Sequence, residues 1–253
     1  MSVLLETRKV GKSFGSIWVL EDFTMAVGEG EFVSVVGPNG AGKTTLVNLL
    51  TGLLEPSAGE VLFMGETITG VGPVELTDRG LARAFQLIQI FPRLTVKETI
   101  AAAVISRQRK RWRLFSRLTG DDAVDARVKE VAEIFGLTTR LEHIGGTLSQ
   151  GEKKLLDVAS TFALDPQVIL LDEPTSGVST GEKHGIMKTL IAAAKREGVK
   201  GIVLVEHDMD LVAAYSSRII ALSEGRMLAD LPPDRFFADP HLIETVIGKR
   251  RGH

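Results

Sequence analysis

The chain has 253 residues, of which 44% are hydrophobic and 25% are charged, and its formal net charge is −2. This length suffices for one full hydrophobic core, or for one core with an inserted subdomain. The near-neutral charge argues against a nucleic-acid binder, and the lack of cysteine excludes disulfides, thiolate metal sites and a cysteine nucleophile.

Membrane insertion is not expected from the sequence. No apolar run approaches the roughly 20 residues that a membrane-spanning helix needs. The first residues, Met1 to Glu6, lack a basic segment followed by a long apolar one, so no signal peptide is expected. Any role at a membrane is therefore predicted to be peripheral.

The first third of the chain predicts short strands around one helix. Apolar runs between glycine turns predict strands at 4–10, 18–20, 23–27 and 32–36, and helical spacing follows at 46–54. Beyond the turn at Pro56 and Gly59, the pattern predicts a strand at 60–64, a helix at 74–80 and a short strand at 81–85.

Residues from about 87 to 147 change character and predict a helical insertion. Helical spacing covers 96–105 and returns from Val124 to Phe135, where Gly136 ends it. Between these helices, residues 107–117 contain six basic residues and no acid. The basic stretch predicts a solvated face over packed apolar residues, with contact to anionic lipid as the alternative.

The remainder of the chain alternates helices with strands. Helices are predicted at 149–163, 181–197 and 209–215, and strands at 168–171, 201–205, 218–222 and 227–230. Strands separated by helices predict an α/β fold with a mainly parallel sheet, whose ligands bind at the carboxyl edge of the strands.

A glycine-rich loop joins the strand at 32–36 to the helix at 46–54. It reads Gly37-Pro38-Asn39-Gly40-Ala41-Gly42-Lys43-Thr44-Thr45 and fits the phosphate-binding pattern G-x-x-x-x-G-K-[ST]. Such a backbone curls around an anion, and the helix N-terminus adds its own unpaired N–H groups. Lys43 is predicted to reach the β- and γ-phosphates of a nucleoside triphosphate, and Thr44 to ligate Mg²⁺. A glycine-rich turn before a helix is the structural alternative.

Two adjacent acids, Asp172 and Glu173, follow the apolar run from Val168 to Leu171. A continuous apolar run is typical of a buried parallel strand, whose end would bring both acids to the edge that carries the loop. Because adjacent strand residues point to opposite sides, the two acids are predicted to have different roles. Asp172 is predicted to bind Mg²⁺, directly or through water, and Glu173 to polarise the attacking water. The alternative is that Glu173 and Pro174 only cap the strand.

The segment Leu148-Ser149-Gln150-Gly151-Glu152 opens a predicted helix. Ser149 and Glu152 fit a capping box, which is a complete structural explanation. The functional alternative is that this helix N-terminus binds an anion through Ser149 and the Gly151 N–H group. Both explanations hold if the phosphate arrives from a second molecule.

In order and spacing, these motifs resemble those of the ABC-type ATPase domain. The resemblance covers nearly the whole chain and is carried by the loop at 37–45, Gln86, the segment 148–152, the strand ending at Glu173, and His207. The loop and the acidic strand are shared by many P-loop proteins. The segment 148–152, together with Gln86 and His207, is specific to this family.

The resemblance implies a P-loop NTPase (RecA-like) α/β core with an antiparallel β subdomain and an inserted α-helical subdomain. Residues 1–86 and 156–253 are expected to form the core with its antiparallel β region. Residues 87–155 are expected to form the helical subdomain that carries the signature motif.

The resemblance also implies roles within an ATP and Mg²⁺ site. Phe14 is similar to the aromatic residue that stacks on adenine, with Trp18 as the rival candidate. Gln86 resembles the glutamine that joins the Mg²⁺ shell and moves with the membrane partner, and His207 resembles the histidine that contacts the γ-phosphate and orients the attack. Together with Lys43 and Glu173, these two residues complete the expected catalytic set.

The signature motif implies a dimer. Ser149, Gly151 and Glu152 resemble the residues that close on ATP bound to the opposite subunit, so that two composite sites form head to tail. Three positions depart from the family pattern: Gln150 stands for the usual glycine, Glu152 for the usual glutamine, and Ser179 for an aspartate that couples the two sites. The third departure predicts looser coupling between them.

The branch of the family is indicated by four further stretches, which are similar to ATPases of branched-chain amino-acid-type importers: Arg83–Gln86, Ile90–Val96, Glu173–Val178 and Val205–Met209. The resemblance implies an ATPase subunit at the cytoplasmic face of the inner (plasma) membrane that powers transport through permeases docked near Gln86 and the helical subdomain. Its partner ATPase is an identical subunit or a paralogue, and no nucleic acid is expected.

Other functions remain open at this point. Urea and lipopolysaccharide-export ATPases are also similar to this chain. A non-transport ABC ATPase would usually carry two such domains or long coiled-coil insertions, which the sequence lacks. A small-molecule kinase would use Lys43 and Asp172 but would leave the segment 149–152 and His207 unexplained.

Overall fold

The computed structural model describes residues 2–84, 90–108 and 121–247, which form ten strands and nine α-helices. The strands are β1 (Val3–Phe14), β2 (Ile17–Gly28), β3 (Phe32–Val36), β4 (Ala58–Phe63), β5 (Glu66–Thr67), β6 (Leu81–Ala84), β7 (Val168–Asp172), β8 (Gly201–Val205), β9 (Arg218–Ser223) and β10 (Arg226–Leu231). The helices are α1 (Lys43–Leu50), α2 (Pro73–Arg79), α3 (Val96–Arg107), α4 (Asp122–Ile134), α5 (Gln150–Phe162), α6 (Thr180–Arg196), α7 (Met209–Tyr215), α8 (Pro233–Phe237) and α9 (Pro240–Ile247). None of the helices in these ranges is long and apolar enough to span a membrane.

The strands form two sheets. One is antiparallel and has the order β2-β1-β4-β5. The other has the order β10-β9-β3-β8-β7-β6; within it β9, β3, β8 and β7 run parallel, and β10 is antiparallel to β9. Every residue of β3, β7 and β8 is buried, which is why these strands are near-continuous apolar runs in the sequence.

The β1–β2 hairpin differs from the predicted pattern. The two short strands predicted at 18–20 and 23–27 are one continuous strand, β2. Its pairing with β1 contains several register shifts, and Asp22 between the two predicted segments has a positive φ of 47°. The polar residues Glu21 and Asp22 interrupt the apolar pattern of the sequence, but the strand continues through them with an irregularity.

The chain divides into two compact units. The first contains residues 1–81, 168–173 and 200–253, and the second contains residues 82–167 and 174–199. This division differs from the predicted boundaries, because residues 156–167 and 174–199 group with the helices of the second unit. The division into an ATPase core at 1–86 and 156–253 and a helical subdomain at 87–155 therefore stays a prediction.

The first unit has a core on each face of its parallel sheet. Ile220 and Leu222 of β9 belong to a cluster that includes the antiparallel sheet and α1, whereas Ile219 and Ala221 belong to a cluster with α8 and α9. Successive residues of a strand point to opposite faces, so β9 supplies both cores by alternation. The helix that follows the glycine-rich loop is therefore anchored to the sheet by buried side chains.

The second unit is a set of packed helices. Val124, Val128 and Val131 form the buried face of α4, and Phe135 at its end packs on Phe162 of α5 with ring centroids 5.2 Å apart. Apolar residues at this spacing line one face of a helix, as the sequence predicted.

Arg127, at the edge of the buried face of α4, connects three parts of the second unit. Its guanidinium donates hydrogen bonds to Glu130 on its own helix, Asp165 after α5 and Glu197 at the end of α6. The Arg127 and Glu197 side chains are only 19% and 9% exposed. Burial opposes the charge on Arg127, but its hydrogen bonds to Glu197 and Glu130 outweigh this effect and raise the pKa of Arg127 above its usual value.

We expect Arg127→Met to lower the free energy of unfolding by about 2–3 kcal/mol, because it leaves the nearly buried Glu197 carboxylate without its cation. The value lies below that for a fully buried pair because Arg127 keeps some solvent exposure. Urea denaturation followed by circular dichroism measures it. The double variant Arg127→Met, Glu197→Gln should recover more than half of the lost free energy of unfolding. An equal loss in the single and the double variant would contradict this account.

Candidate functional site

The glycine-rich loop follows β3 and leads directly into α1. Residues 37–42 form the loop, and Lys43 is the first residue of the helix. Within it the Ala41 N–H donates to the Pro38 carbonyl at 3.2 Å, and the Leu46 N–H donates to the Gly42 carbonyl at 2.8 Å. No side chain caps the N-terminus of α1. Its first N–H groups and the positive end of its dipole are therefore available to an anion.

Gly42 is required by the packing of the loop. Its φ is +101°, and a Cβ at this position would lie 2.9 Å from the Val19 carbonyl oxygen of β2. Both the conformation and the close approach exclude a side chain. The loop thus approaches the backbone of the β1–β2 hairpin closely at this point.

Lys43 extends back over the loop. Its Nζ donates hydrogen bonds to the carbonyls of Gly37 at 2.7 Å and Pro38 at 3.0 Å. Burial lowers the pKa of Lys43 below its usual value, and the charges of Glu173 and Asp172 partly oppose this. The Lys43 ammonium is therefore attracted by both carboxylates and lies against the first residues of the phosphate-binding loop.

Asp172 and Glu173 lie where β7 ends. Asp172 is the last residue of the strand and is 3% exposed, and it pairs in register with Val205 of β8. Glu173 has a φ of +48°, in the left-handed region, and its N–H donates to the Val205 carbonyl at 2.9 Å. The strand alternation assumed for the two acids therefore does not continue beyond Asp172. A non-glycine residue in this conformation stores strain, and such strain concentrates at functional sites.

His207 lies close to Glu173 in the first unit. Its Nδ1 is 3.8 Å from Glu173 Oε1 and 3.5 Å from Glu206 Oε2, and its side chain is exposed. The buried Glu206 carboxylate accepts hydrogen bonds from the His207 N–H at 2.8 Å and the Asp208 N–H at 3.3 Å. Glu206 thus fixes the backbone that carries His207, a function that the sequence did not reveal.

The oxygen donors near the loop fit a Mg²⁺ ion. Thr44 lies on the exposed first turn of α1, and the Asp172 carboxylate acts electrostatically on neighbouring Lys43. Within the described ranges no group of three or more histidines and acids could hold a metal by itself. Mg²⁺ is commonly held by one or two protein oxygens together with substrate phosphates, and this donor set matches that pattern.

Two aromatic side chains lie at the tip of the β1–β2 hairpin. Phe14 pairs with Ile17, and Trp18 pairs with Ser13. Phe14 is 51% exposed and Trp18 is 50% exposed. The Lys12 ammonium lies 5.4 Å from the centre of the Phe14 ring, whereas the Trp18 ring covers Gly11, where a Cβ would lie 2.8 Å from its Cζ3 atom. Trp18 is therefore packed on the strand, and both candidates for stacking on a base remain accessible.

The signature segment lies in the second unit and forms the predicted capping box. Ser149 Oγ accepts from the Glu152 N–H at 3.2 Å, and the Glu152 carboxylate accepts from the Ser149 N–H at 2.9 Å. The Ser149 backbone and the Arg140 side chain, which donates at 2.7 Å, lower the pKa of Glu152. The Glu152 carboxylate and the Ser149 hydroxyl are thus both used to shape the start of α5.

Ser179, at the position of the family aspartate, precedes α6 in the second unit. Its hydroxyl donates to the Glu182 carboxylate one turn later. Glu182 Oε1 lies 3.5 Å from the position that a Cβ would occupy on Gly151. An acid is therefore held beside the signature helix, although the acid comes from Glu182 and not from position 179. The spacing of Ser179 and Glu182 was visible in the sequence, but their proximity to Gly151 depends on the fold.

Two predicted features lie outside the described residues. Gln86 falls in the range 85–89, so its position relative to the loop stays a prediction. The basic stretch at 107–117 falls mostly in the range 109–120, and its role also stays a prediction.

The loop, the half-buried lysine and the two acids at one sheet edge define a P-loop nucleoside triphosphatase. A family model described as ABC transporter matches residues 20–176, more than half of the chain. The chain belongs to the ABC transporter family. The predicted fold class is confirmed, and the protein is an ABC-type ATPase that binds nucleotide and hydrolyses ATP.

Curated relatives match nearly the whole chain. The chain is 31% identical over 252 residues to the high-affinity branched-chain amino acid transport ATP-binding protein BraF of Pseudomonas aeruginosa, covering 97% of this chain and 98% of that protein. It is 30% identical over 254 residues to the corresponding protein LivG of Escherichia coli K12, with the same coverage. These relatives support the predicted branch of the family.

Solved structures agree with the fold. A nucleotide-free ATP-binding cassette from an ABC transporter superposes with a TM-score of 0.85 at 27% identity, covering 98% of this chain and all of that chain. The ADP conformation of an ATP-binding cassette has the same values. A dimeric cassette described as a post-hydrolysis state bound to ADP and phosphate has a TM-score of 0.76 at 26% identity, covering 91% of this chain and 99% of that chain.

Proposed function

We propose that this chain is the ATP-hydrolysing subunit of an importer for branched-chain amino acids or related small solutes. The observation that carries the proposal is the convergence of Lys43, Asp172 and Glu173 at one sheet edge in a chain that is about 30% identical, over nearly its whole length, to BraF and LivG. Urea-type and lipopolysaccharide-type systems are the alternatives for the cargo.

The residues of the first unit would bind ATP and activate water. The loop N–H groups and the Lys43 ammonium neutralise the β- and γ-phosphates, and the aromatic residue at the hairpin tip stacks on adenine. Glu173 accepts the proton of the attacking water, and His207, held by Glu206, donates to the γ-phosphate. Thr44 and Asp172 would hold Mg²⁺, joined by Gln86, and this ion would offset the phosphate charge.

The residues of the second unit would complete the site of a partner subunit. The N-terminus of α5, with Ser149 and Gly151, would bind the γ-phosphate of ATP held by a second ATPase subunit, identical or paralogous. Glu152 would act by keeping this N-terminus in shape. ATP would then hold two subunits head to tail, and hydrolysis would release them.

Membrane permeases would be the partners that convert this cycle into transport. They would dock near Gln86 and the helical subdomain, which places the chain at the cytoplasmic face of the inner (plasma) membrane. The basic stretch at 107–117 would lie on a solvated face or contact anionic lipid or a permease loop.

We expect Glu173→Gln to lower ATP turnover at least about 100-fold while ATP binding persists, because the amide cannot accept the proton of water. Phosphate release measures turnover, and calorimetry measures binding. Glu133→Gln, the same chemical change at an exposed side chain of α4, is the matched control and should retain most of the turnover. Unchanged hydrolysis in Glu173→Gln would remove this residue from its role.

The same variant tests the proposed cargo in cells. In a strain lacking this chain, the wild-type chain should restore uptake of radiolabelled leucine, and Glu173→Gln should not. Restoration of uptake of urea but not of leucine would favour the alternative cargo. Phosphate transfer to a small-molecule acceptor, with no free phosphate released, would indicate a kinase.

We expect Phe14→Ala to weaken ATP binding by about 5- to 100-fold, the range for loss of stacking on one base. Its affinity for inorganic triphosphate, which has no base, should not change. Trp18→Ala should mainly loosen the hairpin, because Trp18 packs on Gly11. Calorimetry with ATP and with inorganic triphosphate distinguishes the effects of Phe14→Ala and Trp18→Ala. If Trp18→Ala loses ATP affinity and Phe14→Ala does not, Trp18 is the stacking residue.

A further inference from the structure

The β9–β10 turn touches the phosphate-binding loop from a part of the chain about 180 residues away. Glu224 and Gly225 connect Ser223 to Arg226, which pair across the hairpin. Their φ values are +49° and +76°. Positive φ at both central residues is the mark of a tight type I′ turn, whose twist matches that of the flanking strands. The turn is therefore a rigid feature of the sheet edge.

Gly225 links the loop to β2 through its two backbone groups. Its N–H donates to the carbonyl of Ala41 in the loop at 3.2 Å, and its carbonyl accepts from the Glu21 N–H of β2 at 2.9 Å. One residue thus bridges the phosphate-binding loop and the hairpin strand that continues to Trp18. The neighbouring ion pair of Arg226 and Glu21 is exposed and contributes little to this link.

The backbones of the loop, of β2 and of the β9–β10 turn approach one another closely at this point. The Val19 carbonyl oxygen lies 2.9 Å from the position of a Cβ on Gly42 and 2.5 Å from that of a Cβ on Gly225. The same Cβ position on Gly42 lies 3.8 Å from the Gly225 Cα. A Cβ at position 225 would clash with the backbone of Val19 and Leu20, so the spacing between β2 and the turn would have to increase.

We propose that Gly225 is a positioning residue that sets the distance between the hairpin tip and the phosphate-binding loop. A nucleotide whose base stacks at the hairpin and whose phosphates lie in the loop spans this distance, so the contact decides whether both ends bind at once. The inference rests on the proposed ATP site. It assigns to the β9–β10 turn a role in selecting nucleotides over other polyphosphates.

The variant Gly225→Ala tests this role. We expect it to weaken ATP binding about tenfold, the scale of losing one base stack, and to change the affinity for inorganic triphosphate less than about threefold. Calorimetry with both ligands measures the ratio. Gly30→Ala is the matched control, because Gly30 has a φ of +83° but no atom within 4 Å of the added Cβ. It should leave both affinities unchanged.

Each outcome decides a separate point. If Gly225→Ala lowers the affinities for ATP and for inorganic triphosphate equally, the contact shapes the loop itself. If the ATP affinity is unchanged, the contact has no role in binding. Either result overturns the inference but leaves the proposed function standing. Failure of the wild-type chain to bind ATP would instead overturn the proposed function together with the inference.

A measurement on the wild-type chain covers the case in which Gly225→Ala does not fold. ATP, which would contact both the hairpin and the loop, should slow hydrogen exchange at the Glu21 and Gly225 amides more than inorganic triphosphate, which contacts no base site. The Gly30 amide, which donates to the Lys200 carbonyl, should not respond. Equal slowing by the two ligands at Glu21 and Gly225, or no slowing, would overturn the inference.

Discussion

The placement of the Lys43 ammonium between a phosphate-binding loop and two carboxylates is the constraint on which the site depends. Burial disfavours the charge of Lys43, whereas Asp172 and Glu173 favour it. The parallel sheet creates this balance, because β3 and β7 flank β8 and all three end at the same edge. The arrangement keeps a cation where phosphates would lie and an acid where water would attack.

Backbone contacts, more than side chains, hold this arrangement in register. Gly42 and Gly225 both approach the Val19 carbonyl at distances that exclude a Cβ. Glu173 adopts a left-handed conformation and is secured by its bond to the Val205 carbonyl. These contacts join the loop, the hairpin and Glu173, the proposed catalytic acid, into one framework. Substrate selection then depends on the spacing of this framework as well as on the groups that it carries.

The sequence correctly predicted those structural features that a local pattern of residues determines. The strands at 32–36 and 201–205 have their predicted bounds, because fully buried strands are apolar runs with sharp ends. Lys43 was recognised as a candidate site residue by its motif, and Asp172 by its position at the end of an apolar strand. The short helices α8 and α9 were missed, although each begins at a proline typical of a first helical turn. Glu206 and Gly225 could not be found, since their contacts with the site arise only from the packing of distant segments.

The central claim is that the phosphate-binding loop is half of a site and that a second subunit supplies the other half. The most direct measurement is the ATPase activity of a mixture of two inactive variants, Lys43→Ala and Gly151→Asp. Each variant alone should be inactive, and a C2 dimer formed at random from both should restore about a quarter of the wild-type rate, because half of the dimers then contain one intact site. A mixture no more active than its separate components would contradict the account.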